Sequence, residues 1–102
     1  MSGINLPYRY QYEHVAASQT AQVLGGTGAI GNYLHRIVVT VSTAATSQVQ
    51  LNDNGTLVHT LVPANTPIGS YTIELNMRSA TGAWSITTAA GVEVIGVGIF
   101  SA

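Results

Sequence analysis

A net charge of −1 on 102 residues, with only 7% of them charged, excludes the basic stripe that phosphate backbones need and the polybasic patch that anionic lipid needs. Neither a nucleic-acid nor a membrane partner is therefore expected. The length suits one domain with a modest core, and the absence of cysteine excludes a disulfide framework and a thiolate metal site. Ordinary soluble domains carry about 25% charged residues. Here the polar surface must be built from Thr, Ser, Asn and Gln, which cost less to desolvate than ions when a surface is covered by a neighbour.

Met1 to Pro7 has no periodicity and ends at a proline, so residues 1–7 read as an extended N-terminal arm and 8–102 as the folded domain. No run approaches the roughly 20 apolar residues of a membrane span. The start MSGINLPYRYQYEH also lacks the charged head and apolar centre of a signal peptide, so a chain soluble and intracellular at synthesis is expected. From Tyr8 the sequence alternates: Tyr8, Tyr10 and Tyr12 share one face, and Arg9, Gln11 and Glu13 share the other. An aromatic stripe of this kind needs a cover.

A short strand is predicted over Thr20 to Leu24, followed by GGTGAIG. Gly26, Gly28 and Gly31 have the spacing of a dinucleotide-binding turn, which functions only where a helix opens behind it. Instead the β-branched run Ile37, Val38, Val39, Thr40, Val41 follows, so Tyr33 to Ser42 is a strand and the glycines join two strands. Ser47 to Asn52 is the next strand. Asp53-Asn54-Gly55 then turns the chain into a return strand over Thr56 to Val62.

Pro63 to Gly69 is a loop. After it Tyr71, Ile73 and Leu75 alternate with Thr72, Glu74 and Asn76; turns at Ser79–Gly82 and Ala89–Gly91 flank a strand opened by Trp84 and Ile86, and Val92 to Phe100 closes the series. About eight short strands with turns between them and no helix predict an all-β, single-domain antiparallel β-sandwich, jelly-roll-like in form. The last strand is apolar on both faces except at Glu93, which predicts a central or doubly covered strand. Its Gly96 and Gly98 predict close approach of another backbone.

Little in the chain points to catalysis. Glu13, Asp53, Glu74 and Glu93 are scattered over four segments, no serine sits in a nucleophile elbow, and no cofactor or metal site is expected. Alternation places His35 with Ile37, Val39 and Val41, and His59 with Leu57 and Leu61, so both histidines are expected on a core or interface face. Trp84 is expected in the core. Arg36 and Arg78 carry the planar five-donor fork suited to interfaces, although Arg78 could equally hold loop carbonyls of its own subunit.

The stretch LGGTGAIGNYLHRIVVTVSTAATSQVQL, with the later MRSATGAWSITTAAGVEVIGVG, resembles small virion structural proteins of tailed bacteriophages, including capsid decoration (cement) subunits. The similarity spans roughly Ala17 to Phe100 and leaves the arm outside it. It implies a non-enzymatic protein on the outer capsid surface that bridges subunits of the major capsid protein and self-associates as a dimer or trimer. Tyr8, Arg9, Tyr10, Tyr12, Arg36 and Arg78 are the expected partner-interface residues. The alternative is a tail, baseplate or fibre module that binds host glycan through an exposed aromatic such as Trp84.

Overall fold

The computed structural model describes residues 10–25, 29–43 and 47–100; the predicted arm, with Tyr8 and Arg9, lies outside them, as do Gly26 and Gly28. Eight strands form: β1 Gln11–Val15, β2 Gln22–Val23, β3 Tyr33–Val41, β4 Val49–Asp53, β5 Thr56–Val62, β6 Gly69–Arg78, β7 Trp84–Thr87 and β8 Val92–Ile99. They pair antiparallel in two four-stranded sheets, ordered β1-β8-β3-β6 and β2-β7-β4-β5. Successive strands cross from one sheet to the other until the β4–β5 hairpin; β6 then joins the first sheet at the edge beside β3, β7 inserts between β2 and β4, and β8 inserts between β1 and β3. This is the strand order of a jelly roll, an all-β single-domain sandwich.

Alternation dictates the core. Val15, Leu34, Val39 and Val94 from the first sheet meet Leu51, Trp84 and Ile86 from the second, all fully or almost fully buried. The indole of Trp84 is 2% exposed, and its Nε1 donates to the carbonyl oxygen of Asn32 at 2.8 Å. A buried indole needs such a partner for its one polar atom.

The β4–β5 turn has Asn54 at φ 52° and Gly55 at φ 83°, the conformation the Asn-Gly pair predicts. The glycine-rich segment joins β2 to β3 with no helix behind it, as expected, and β2 is only two residues long where five were predicted. β8 is central, between β1 and β3. It is not doubly covered: Val94, Gly96 and Gly98 are buried, whereas Ile95 and Ile99 are exposed. A side chain on Gly98 would collide with the carbonyl oxygen of Tyr33, which is the close backbone approach the sequence predicts; at Gly96 the neighbour is the side chain of Leu24 instead.

Bulges overturn two expectations. Leu34 pairs with Gly98 and Arg36 with Val97, so His35 has no opposite residue on β8. The extra residue rephases β3, so that Leu34 and Ile37 both point inward and His35 joins Arg36 on the outer side, not Ile37 and Val39. On β5, Val58 and Leu61 are the unmatched residues against β4. Leu61 is buried while Leu57 and His59 are exposed, so His59 is not a core histidine.

Candidate interaction face

Residues opposite one another in an antiparallel ladder share a face, so the register maps the outer surface of the β1-β8-β3-β6 sheet. Tyr12 is opposite Val97, which is opposite Arg36, which is opposite Glu74. The next row runs His14, Ile95, Val38, Thr72, and at the other end of the sheet Ile99, Tyr33 and Arg78 are opposite one another. Across the sheet, then, Tyr12 and His14 lie on the β1 edge, Val97, Ile95 and Ile99 on β8, Tyr33, Arg36 and Val38 on β3, and Thr72, Glu74 and Arg78 on the β6 edge.

The apolar members are open to solvent. Tyr12 is 74% exposed, Ile99 50% and Ile95 37%. Four strands contribute to a contiguous surface in which apolar and aromatic side chains dominate the centre, the kind of patch that marks an interaction site rather than a solvated sheet. The outer face of the other sheet is mixed: Gln50 and Thr87 are half-buried and Asn52 and Ser85 buried in its middle, while Val23 and Leu57, opposite Ser85 and Asn52, are exposed at its edges.

An aromatic and cationic cluster organises one end. The Tyr10 ring stacks on His35 at 4.7 Å between centroids and lies 6.1 Å from Tyr33. Arg36 donates from Nη1 to His35 Nδ1 at 3.2 Å; a guanidinium has no acceptor, so the imidazole nitrogen must accept. The Tyr33 hydroxyl donates to Asn76 Oδ1 at 2.8 Å. Burial among these neighbours, with the adjacent Tyr10 phenol, pushes the Tyr33 phenol above its usual value, against a lowering by Arg78. Opposite the cluster, His14 Nε2 and Glu93 Oε1 are hydrogen bonded at 2.9 Å.

The inward side of β1 fixes which way the tyrosines point. Gln11 Oε1 accepts from Phe100 N at 2.7 Å, and the Glu13 carboxylate accepts from Gln22 Nε2 at 3.1 Å and from Gly25 N at 3.4 Å. With those polar groups satisfied internally, the stripe is left on the outside.

Of the interface residues expected from sequence, Tyr10, Tyr12, Arg36 and Arg78 come together on this one face; Tyr8 and Arg9 lie outside the described residues. Arg78 also donates from Nη1 to the carbonyl oxygen of Gly31 at 3.2 Å, the loop contact named as its other possible role. Sequence reasoning missed Tyr33, His35, Ile95 and Ile99 as members. The signal for the isoleucines was present in β8, apolar on both faces apart from Glu93, which was read as a central or doubly covered strand; it is central, with its outer face open.

Trp84 has no face in solvent, so it cannot be the aromatic platform of a glycan site. Among the described residues there is no pocket, no group of three or more His, Cys, Asp or Glu able to hold a metal ion, and no helix long and apolar enough to cross a membrane. Compared with known proteins, the chain matches no family model, no curated protein and no solved structure.

Proposed function

We propose that this protein is a structural, non-enzymatic component of a bacteriophage virion, a capsid decoration subunit that bridges major capsid proteins on the outer surface of the particle. The observation that carries the reading is the outer face of the β1-β8-β3-β6 sheet. Its aliphatic centre and its Tyr and Arg content match the composition of interface cores, and it gathers Tyr10, Tyr12, Arg36 and Arg78, four of the interface residues expected from the sequence.

Two further features support the reading. The strand order is that of a jelly roll, an architecture shared by viral capsid domains and by lectins, which is an analogy of fold and carries no function by itself. The charge-poor surface suits burial in an assembly. In this role the sandwich acts mechanically: a rigid two-sheet body holds the face flat while the tyrosines supply apolar area and one hydrogen bond each.

Copy number tests the proposal. Purified particles of the phage encoding the chain are expected to contain hundreds of copies; a few tens or fewer would assign it to the tail, baseplate or fibre. Deleting Met1 to Pro7 is expected to leave the far-ultraviolet circular dichroism unchanged and to lower particle occupancy. Arg36→Ala is expected to reduce occupancy with the fold intact, and loss of the fold itself would show that Arg36 serves its own subunit.

A further inference from the structure

We infer that a second copy of this chain covers the outer face of the β1-β8-β3-β6 sheet, forming a face-to-face dimer about a two-fold axis that runs along the strands between β8 and β3. The inference is about the free protein in solution and does not rest on the virion reading. Its argument is the lateral asymmetry of the face.

The two halves of the face carry different chemistry. The β3–β6 half carries Arg36 and Arg78 against one acid, Glu74, and is net positive. On the β1–β8 half the described ionic groups are Glu93 and its partner His14, with Tyr12 at the edge. An axis along the strands lays each half over the opposite half of its mate. Tyr12 then comes over the partner's Glu74, a carboxylate with no ion-pair partner among the described residues, to which a phenol can donate. In the middle, Ile95 comes over the partner's Val38. An axis across the strands would instead set each half over its own kind and the arginine side over the arginine side.

The area suffices. Four strands about 4.8 Å apart and eight residues rising about 3.3 Å each span roughly 19 by 26 Å, about 500 Å² per copy before side-chain relief. Two copies bury about 1,000 Å² or more, the size at which specific interfaces begin. Sheets packed this way adopt a small crossing angle set by their twist, and an isologous contact closes on itself at two subunits.

Sedimentation of the full chain between about 1 and 200 µM tests the dimer. A concentration-dependent monomer–dimer equilibrium is expected, with Ile95→Arg monomeric throughout and unchanged in circular dichroism. The chain has no cysteine, so geometry can be read with a short bismaleimide. A mixture of Tyr12→Cys and Glu74→Cys proteins is expected to cross-link between the two variants, and Tyr12→Cys alone is not. A monomer at every concentration, a dimer that survives Ile95→Arg, or equal cross-linking of Tyr12→Cys with itself overturns the inference. If the chain is monomeric while particles still carry hundreds of copies, the face meets a capsid subunit instead, and the dimer alone is wrong.

Discussion

A carboxylate moved out of water is destabilised unless donors replace the solvent, and Asp53 is buried with donors aimed at both of its oxygens. Oδ2 accepts from the backbone N–H of Ala80 at 2.7 Å and Thr81 at 3.1 Å, and Oδ1 accepts from Gly82 at 3.0 Å. Burial alone would raise its pKa; the three backbone N–H groups and the Thr81 side chain outweigh burial and hold it below the usual carboxylate value. Because the folded-state pKa lies below the unfolded one, the resulting stability is fully present above the unfolded value and is lost as pH falls through the folded one. Asp53→Asn is expected to cost about 1–3 kcal/mol by turning an acceptor toward those donors into a donor. In a domain of this size that lowers Tm by roughly 4–8 °C per kcal/mol. The penalty should shrink at acid pH, as thermal melts across a pH series would record. The sequence placed Asp53 in the hairpin turn; it is the last residue of β4, just before that turn, and its partners lie 27 to 29 residues away, where no local pattern announces them.

All four edge strands limit further pairing, each by its own device. β2 has two residues and β1 five. β5 carries two bulges against β4, and on β6 the pair Leu75 and Asn76 spans the interval that His35 alone spans on β3, with Asn76 at φ 51°. Bulges and short lengths here do the work for which lysines serve elsewhere. Asn tolerates the left-handed conformation, whereas a β-branched residue does not. Asn76→Val is therefore expected to cost about 1–2 kcal/mol in chemical denaturation, with Asn76→Gly, which keeps the conformation and loses only the exposed hydrogen bond from Tyr33, costing less, and the straightened edge of the Val variant should aggregate sooner under light scattering. Strand existence was legible in the sequence because it rests on alternation and on turn residues such as Asn54-Gly55. The bulges were not, because one extra residue leaves the period-two pattern locally intact and shows itself only against a partner strand. For that reason alternation put His35 on the face of Ile37 and Val39, whereas the bulge turns it outward and brings Leu34 inward, and it grouped exposed His59 with buried Leu61.

Viewed whole, the molecule is held by distant pairs: β1 with β8, β3 with both β6 and β8, β2 with β7. Long-range pairing requires loop closure before contacts reward it, so folding on the millisecond-to-second scale is expected. Trp84, the single tryptophan and a buried one, gives a fluorescence probe for stopped-flow refolding; microsecond kinetics would contradict the expectation. The interaction face was half legible at this scale. The tyrosine stripe and the two arginines could be picked out one by one, but that they share a surface follows from the order β1-β8-β3-β6, which no local stretch encodes.

That order also sets a timetable for synthesis. β8, made after the other seven strands, fills the gap between β1 and β3 and supplies Ile95, Val97 and Ile99, the middle of the exposed face. Until then β1, whose one ladder is with β8, has nowhere to attach, and neighbouring unfinished chains on one messenger present no finished surface to each other. Completion of this face is thus deferred until β8 has been made, when the other seven strands are available to keep it in shape.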